Sequence, residues 1–141
     1  YSNSNKRTWL NKKLFFSSHN QNGRTPKDLY DNLDKEFNFD FDPCPKDPNF
    51  DGLNISWKKS NFINAPYKTQ RLWIKKAYEE SLKGKVCVML LPARTDTRIF
   101  HEIILPFSKE IRWIKGRLKF AQYNNPAPFP SMIVIFNGNQ D

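Results

Sequence analysis

Cysteine and histidine are scarce in this sequence, and their scarcity excludes the common metal sites. The two cysteines, Cys44 and Cys87, belong to no CxxC pair and lie near no His-rich stretch. Zinc sites in proteins are built from closely spaced Cys and His ligands, so we expect no metal centre. The two histidines, His19 and His101, are isolated, and we assign them no role.

Long hydrophobic runs are also missing. The longest apolar runs include residues 86–91 and 133–136, whereas a helix needs roughly 20 apolar residues to cross a bilayer. No N-terminal stretch combines a charged start, an apolar centre and a small-residue cleavage site. We therefore expect a soluble, intracellular protein with no membrane-spanning segment.

Acidic residues are outnumbered by basic ones. The chain has 23 Lys and Arg against 14 Asp and Glu, which gives a net charge of +9 and a pI near 9.6. This balance favours a polyanionic partner, with nucleic acid as the first candidate. A generic solvated basic surface explains the charge equally well, so charge alone does not identify the partner.

The length of 141 residues fits a single domain with its own core. Residues 1–23 are rich in Asn, Ser and Lys, and we interpret them as a polar N-terminal arm. Residues 24–141 then form the folded domain. The arm is expected to contribute little to the core, because few of its side chains are apolar.

The order of the predicted elements indicates an α/β fold. Thr25 as N-cap and Pro26 at the first helical position begin a helix, Gly84 ends a second helix, and Pro106 ends a third. The predicted strands cover residues 39–42, 61–64, 85–91, 111–120 and 132–136, and the second and third helices cover 69–83 and 97–105. Strand, helix and strand in succession imply a parallel crossover, so we expect a mostly parallel sheet with helices on both faces.

Unusual polar segments follow three of the predicted strands. They are Asp42-Pro43-Cys44-Pro45, Asn64-Ala65-Pro66-Tyr67 and Pro92-Ala93-Arg94-Thr95-Asp96-Thr97. In open α/β sheets, ligands bind outside the carboxyl ends of the strands. We therefore expect these segments to form one site.

Between about residues 16 and 136 the sequence resembles the phage-type DNA N6-adenine methyltransferase family. The resemblance rests on several motifs in the right order: Thr25-Pro26 with residues 29–41, Asp42-Pro43-Cys44, Asp51-Gly52-Leu53 with Trp57, Asn64-Ala65-Pro66-Tyr67, and residues 90–97, 116–120 and 128–132. It implies an abbreviated class I, Rossmann-like methyltransferase fold and a phage or viral source acting in the host cell. It also implies S-adenosylmethionine as the methyl donor, S-adenosylhomocysteine as the product and DNA, expected to be double-stranded, as the substrate.

The segment Asn64-Ala65-Pro66-Tyr67 has a chemical rationale of its own. Adenine N6 is a weak nucleophile. The Asn64 side-chain oxygen and the Ala65 carbonyl can accept hydrogen bonds from its two N–H groups as the nitrogen attacks a methyl group. Tyr67 would supply a face for a base turned out of the duplex. The family's usual tetrapeptide has two prolines; here Ala65 replaces the first, which keeps the carbonyl but leaves the loop less preorganised.

The remaining candidate contacts follow from the resemblance. Asp42, Pro43 and Cys44 occupy the place of the cofactor-binding loop, although the loop lacks the usual glycines, and an Asp-Pro turn is the alternative. Thr25, Pro26 and Asp51 are further cofactor candidates, with helix capping or a solvated acid as alternatives. Arg94, Thr95, Arg117 and Lys119 are candidate DNA contacts, each of which could be a simple surface residue.

Two other functions stay open at this level. Similar loops serve enzymes that methylate RNA adenine or protein glutamine, and a catalytically silent relative could bind nucleic acid without methylating it. The sequence contains no recognisable target-recognition domain, so a partner subunit or a homo-oligomer could supply sequence preference.

Overall fold

The computed structural model describes residues 25–45, 49–118 and 129–138. The predicted N-terminal arm, its boundary at residue 23 and Lys119 lie outside these residues, so the division into arm and domain stays a prediction.

The described strands form a four-stranded sheet. They are β1 (Ser60–Ile63), β2 (Val86–Pro92), β3 (Glu110–Trp113) and β4 (Ser131–Asn137), in the order β1-β2-β4-β3. β1 and β2 are parallel, whereas β4 is antiparallel to both of its neighbours. A single parallel bridge from Phe41 to Asn61 extends the parallel side of the sheet beyond β1.

The prediction of a mostly parallel sheet is therefore wrong. The predicted crossover from β1 to β2 is parallel, but β4 returns between β2 and β3 and makes two antiparallel pairs. Apolar periodicity marks β4 as a buried strand without indicating its direction or its neighbours, because both depend on partners that are distant in sequence. The predicted strand at residues 39–42 is reduced to the Phe41 bridge.

Helices lie on both faces of the sheet. Helix α1 spans Lys27–Phe37, α2 spans Gln70–Ser81, and α3 is the short segment Leu105–Phe107, which continues a π-helical turn at Phe100–Ile104. Tight 3₁₀ turns precede β1 and α2 at Gly52–Asn54 and Tyr67–Thr69. No helix in the described part of the chain is long and apolar enough to cross a membrane.

The alternation of side chains along the strands divides the core into two clusters. Cys87, Met89 and Leu91 of β2 point to the face covered by α2, while Val88 and Leu90 point to the face covered by α1. This period of two is the normal geometry of a strand buried on both sides. The sheet is thus fixed between two apolar layers, which holds its strand ends in place.

The ends of the helices differ in part from the predictions. Gly84 follows α2 with φ 89°, so its predicted role as a stop is confirmed. α1 begins at Lys27 with Pro26 in the cap position and no side-chain cap, so the N-cap role predicted for Thr25 is wrong. The Thr25 hydroxyl instead accepts a hydrogen bond from a distant side chain, described below.

Two further boundaries are corrected. Pro106 does not end the third helix at Leu105: it lies within a helical stretch that runs on from the π-helical turn, and the helix ends one residue later at Phe107, where the Ser108 N–H still donates to the Ile104 carbonyl at 3.0 Å. β3 ends at Trp113, so the strand predicted over residues 111–120 is too long in the described residues. Beyond Trp113 the chain turns through Gly116, which has φ 78°.

A buried carboxylate ties α2 to the sheet. Glu80 is fully buried and pairs with Lys85 at 2.6 Å, Lys83 at 3.1 Å and Lys76 at 3.3 Å, and it accepts the Trp57 N–H at 2.9 Å. Burial alone would raise the pKa of Glu80, but the hydrogen bonds from Lys85, Trp57 and the other lysines outweigh it and lower the pKa to about 2. Glu80 therefore stays ionised inside the fold.

On the other face, Arg112 joins β3 to α1. It is 3 % exposed and holds Glu36 through two hydrogen bonds of 2.7 and 2.6 Å, and it also bonds Glu110 at 2.9 Å. Burial opposes its charge, but the two carboxylates hold the pKa of Arg112 above its ordinary value. This pairing attaches the edge strand to the helix that carries Thr25 near its start.

Candidate functional site

The polar segments that follow the strands meet at one edge of the sheet. β1 and β2 are parallel, so Ile63 and Pro92 end at the same edge, and Ser131 at the start of β4 pairs with Pro92. Trp113 at the end of β3 pairs with Met132 and reaches this edge as well. We call it the carboxyl edge.

The carboxyl edge is stepped at Asn64. Ile63, the last residue of β1, pairs with Met89, whereas β2 continues through Leu90, Leu91 and Pro92. The end of β1 at Ile63 is therefore set back by about 10 Å relative to the end of β2, and Asn64 by about 7 Å, given a rise of about 3.3 Å per residue.

A side-chain hydrogen bond orients Asn64. Its Nδ2 donates to the Thr25 Oγ1 at 2.9 Å, which connects the end of β1 to a residue two positions before α1 and 39 positions earlier in the chain. The bond engages the nitrogen end of the amide and so determines where the oxygen end points. The structure thus brings together two residues that the sequence suggested for different roles.

The next residues turn the chain into α2. Ala65 is 3 % exposed and belongs to the core cluster under α2, and Pro66 has φ −60° and ψ 144°. The Thr69 N–H donates to the Pro66 carbonyl at 3.3 Å, and Trp73 Nε1 donates to the Thr69 hydroxyl at 3.2 Å. Burial of the alanine methyl group in this cluster anchors the loop to the core.

Tyr67 lies in an aromatic and basic cluster. Its ring, which is half exposed, meets the ring of Phe129 edge-on at a centroid distance of 5.1 Å. The Arg94 guanidinium lies 5.7 Å from the centroid of Phe129 on another side. Tyr67 and Arg94, predicted separately, are therefore linked through Phe129.

The loop that carries Arg94 is held at both ends. The Ala93 N–H donates to the Pro130 carbonyl at 2.9 Å, which keeps the loop beside the start of β4. The Thr97 hydroxyl donates to the Arg94 carbonyl at 3.1 Å and accepts from the Phe100 N–H at 3.3 Å. Thr95 lies on the exposed turn between these anchors.

Asp42 follows the Phe41 bridge beside β1. It is exposed, and its Oδ1 accepts the Cys44 N–H at 2.9 Å, which closes a local turn, while Pro43 and Cys44 are buried below it. The charge of Asp42 also acts on Tyr30 of α1: burial first, and the charges of Asp34, Asp42 and Asp31 in addition, raise the pKa of Tyr30. The loop thus presents an exposed carboxylate next to buried apolar residues.

The turn that contains Asp51 packs directly against the Asp42 loop. A Cβ atom at Gly52 would lie 1.9 Å from the Pro43 carbonyl oxygen, so only glycine permits this approach. Trp57 Nε1 donates to the Gly52 carbonyl at 2.7 Å, and Asp51 caps the turn by accepting the Leu53 N–H at 3.0 Å. The two predicted cofactor segments are therefore neighbours.

The cysteines are buried rather than reactive. Cys87 is fully buried in β2, and burial raises the pKa of its thiol to about 12, despite the Asn61 amide at 3.8 Å. In the part of the chain that the structure describes, no group of three or more His, Cys, Asp or Glu residues could hold a metal ion.

The remaining predicted residues are more dispersed. Arg117 is exposed on the turn that follows β3, at the same edge but beyond β4 from the Arg94 loop. Lys119 lies outside the described residues. Thr97 was expected in the polar segment after β2 but without a role of its own, and Phe129 was missed as a contact. The available signal for Phe129 was an aromatic residue between two prolines before a buried strand.

Comparison with known proteins assigns the chain to a family. Residues 16–139 match DNA N-6-adenine-methyltransferase (Dam), a span that includes every described residue. No curated protein and no solved structure matches the chain significantly. Because the match covers most of its length, the chain belongs to the DNA N-6-adenine-methyltransferase (Dam) family.

Proposed function

We propose that this protein transfers the methyl group of S-adenosylmethionine to the N6 amino group of an adenine in double-stranded DNA. Family membership supports a DNA methyltransferase, and the net charge of +9 suits a polyanionic substrate. The parallel run from the Phe41 bridge through β1 and β2, with helices on both faces, is compatible with an abbreviated class I, Rossmann-like fold.

The groups beside the Phe41 bridge fit the methyl donor by their chemistry. S-adenosylmethionine carries ribose hydroxyls and an ammonium group that need acceptors, and Asp42 is an exposed carboxylate at a strand end. A carboxylate can accept about four hydrogen bonds, so the turn bond to Cys44 is compatible with a ligand. Asp42, Pro43, Cys44 and Asp51 would hold the donor, with Thr25 and Pro26 bordering it. When bound, the donor supplies an electrophilic methyl group.

Asn64 and Ala65 would bind the target amine. The Asn64 side-chain oxygen and the Ala65 carbonyl accept the two N6 hydrogen bonds, which draws the nitrogen lone pair out of conjugation and toward the methyl group. A methyl–nitrogen bond forms as the methyl–sulfur bond breaks, S-adenosylhomocysteine leaves with the sulfur electron pair, and the extra proton on N6 passes to solvent water. The chain needs no strong general base or metal for this transfer.

Tyr67 and Phe129 would stabilise the adenine outside the duplex. Stacking on an aromatic ring contributes about 1–3 kcal/mol per base and offsets part of the few kcal/mol required to flip the base. The T-shaped contact with Phe129 restrains the Tyr67 ring, and Arg94 lies against Phe129, so the aromatic group offered to the base is held in place before binding.

The observation that carries the proposal is the setting of Asn64. It lies at the recessed end of a parallel strand, beside the Asp42 loop, and its amide is oriented by Thr25. An asparagine kept only for a turn would not need a side-chain partner 39 residues away.

The test is the substitution Asn64→Ala in the full chain. We expect methyl transfer from labelled S-adenosylmethionine to AT-rich duplex DNA to fall by at least about 100-fold, since one preorganised transition-state contact is worth about 10²–10³ in rate. Calorimetry should show nearly unchanged affinity for the methyl donor. Asn32→Ala is the matched control, because the Asn32 Nδ2 in α1 has no hydrogen-bond partner among the residues that the structure describes.

The destination of the label separates the alternatives. Label on adenine N6 of DNA supports the proposal, and wild-type transfer by Asn64→Ala contradicts the role of the loop. Label on RNA or on protein glutamine would indicate a different substrate. DNA binding with no transfer to any substrate would indicate a catalytically silent relative.

A further inference from the structure

An exposed tryptophan lies at the carboxyl edge outside the site described above. Trp113 is the last residue of β3, pairs with Met132 of β4 and is 46 % exposed. Two other tryptophans of the described chain, Trp57 and Trp73, are buried. Exposing an indole leaves a large apolar area in water, and such side chains are enriched where a partner binds.

Its surroundings hold the indole in place. Trp113 is on the same face of the sheet as Phe100, whose buried ring lies 6.4 Å away at an angle of 45°. The backbone stays attached to β4 one residue further, because the Ile114 N–H donates to the Ser131 carbonyl at 3.1 Å. One side of the indole is thus supported while the other faces solvent.

Basic side chains follow immediately. Lys115 and Arg117 are both exposed and are separated by Gly116, whose φ of 78° turns the chain after the strand. Within residues 113–117 there is no acidic side chain. The nearest carboxylate in sequence is Glu110 at the opposite end of β3, where it pairs with Arg112. An aromatic ring beside two cations is the combination that binds nucleic acid through base stacking and phosphate contacts.

We propose that Trp113, Lys115 and Arg117 form a second DNA contact, in which the indole stacks on a base away from the target adenine and the cations hold adjacent phosphates. The inference rests on the proposed function for the identity of the partner. β3 is three strand positions from β1, a distance of about 14 Å at about 4.8 Å per strand. At about 3.4 Å per nucleotide, the contacted base lies about four nucleotides from the target. The contact provides part of the substrate affinity in a chain without a recognisable target-recognition domain.

Two variants of the full chain test the contact by binding, and the fluorescence readout uses the chain that keeps Trp113 with Trp9 replaced by phenylalanine, so that only Trp113 and the buried Trp57 and Trp73 contribute to the signal. Trp113→Ala should weaken binding to a duplex of about 20 base pairs by about 5- to 150-fold, the equivalent of about 1–3 kcal/mol. Trp113→Phe, which keeps an aromatic ring, should retain most of the affinity. Leu82→Ala is the control, because Leu82 is exposed at the opposite edge, before β2.

Fluorescence reports the contact directly. Iodide should quench Trp113 in the free protein, and duplex DNA should protect it. Unchanged affinity of Trp113→Ala, or equal iodide access with and without DNA, would overturn the inference. So would a change in oligomeric state of Trp113→Ala in sedimentation without a change in DNA affinity, since the indole would then contact a second copy.

The readouts also distinguish the two proposals. Asn64→Ala should bind the duplex and protect Trp113 as the wild type does, because Asn64 acts on the amine. Absence of methyl transfer by the wild type would contradict the proposed function while the binding measurements still decide the role of Trp113.

Discussion

At the residue scale, the two ends of the Asn64 amide have different tasks. The nitrogen end donates to the Thr25 hydroxyl, and the oxygen end is the acceptor proposed for adenine N6. Because an amide is planar, fixing one end fixes the other, and a preorganised acceptor loses little free energy on binding the amine. Thr25 is therefore a positioning residue in the proposed reaction rather than a helix cap.

Thr25→Val tests this role. Valine has nearly the same shape but no hydroxyl, so we expect kcat to fall about 10-fold, the effect of losing about 1.4 kcal/mol of orientation, with KM for DNA nearly unchanged. Thr25→Ser restores the hydroxyl and should restore kcat. A purely structural role would lower the melting temperature of Thr25→Val without this split between kcat and KM.

At this scale, the structure also explains how the loop keeps its conformation with Ala65 in place of a proline. The first proline of the usual tetrapeptide is missing, and the sequence predicts a less rigid loop. Two restraints remain, since the buried methyl group anchors Ala65 in the core and the following Pro66 restricts it to extended backbone. The loop keeps its carbonyl and much of its order.

At the element scale, α2 is held to the sheet by charge as well as by apolar contact. Trp73, Ile74 and Ala77 bury one face of the helix, and Glu80 connects its last turn to Lys85 before β2. The Trp57 N–H joins the same carboxylate, so the turn beside Gly52 depends on it too. Removing the charge would loosen the support of the candidate cofactor loop.

Glu80→Gln should destabilise the fold in a pH-dependent way. The pKa of Glu80 is lowered from 4.5 to about 2, so its contribution is present above about pH 4.5 and is lost as the pH falls toward 2. The shift corresponds to about 3 kcal/mol at neutral pH. Urea unfolding at pH 7, 5 and 3 measures it: the wild type should lose stability over this range more steeply than Glu80→Gln. Glu79→Gln, at the exposed neighbour, is the control, and equal pH dependence of wild type and Glu80→Gln would contradict the prediction.

At the scale of the whole molecule, the directions of the strands bring the candidate functional residues to one edge of the sheet. The ends of β1, β2 and β3 and the start of β4 all reach the carboxyl edge, and each brings a polar, aromatic or basic residue there. The net charge of +9 acts over longer distances and favours encounter with DNA at low salt. Specific contacts at the edge then determine the position on the duplex.

Salt dependence of DNA binding measures the charges at this edge. If Arg94 and Arg117 each contact one phosphate, replacing either with alanine should reduce the slope of log K against log salt concentration by about 0.9. Lys35→Ala, an exposed substitution near the end of α1, should leave the slope nearly unchanged. An unchanged slope for Arg94→Ala together with a lower kcat would instead assign Arg94 to the support of Phe129 and Tyr67.

The sequence alone determined the features that depend on neighbours in the chain. Apolar periodicity predicted α2 and β2, Gly84 marked the end of a helix, and Asn64-Ala65-Pro66-Tyr67 was correctly expected at a strand end. Tertiary structure alone decided the antiparallel insertion of β4, the bond from Asn64 to Thr25 and the contact from Tyr67 to Phe129. These join residues about 40 to 60 positions apart, and such contacts are fixed by the packing of whole elements, which leaves no periodic signal in the local sequence.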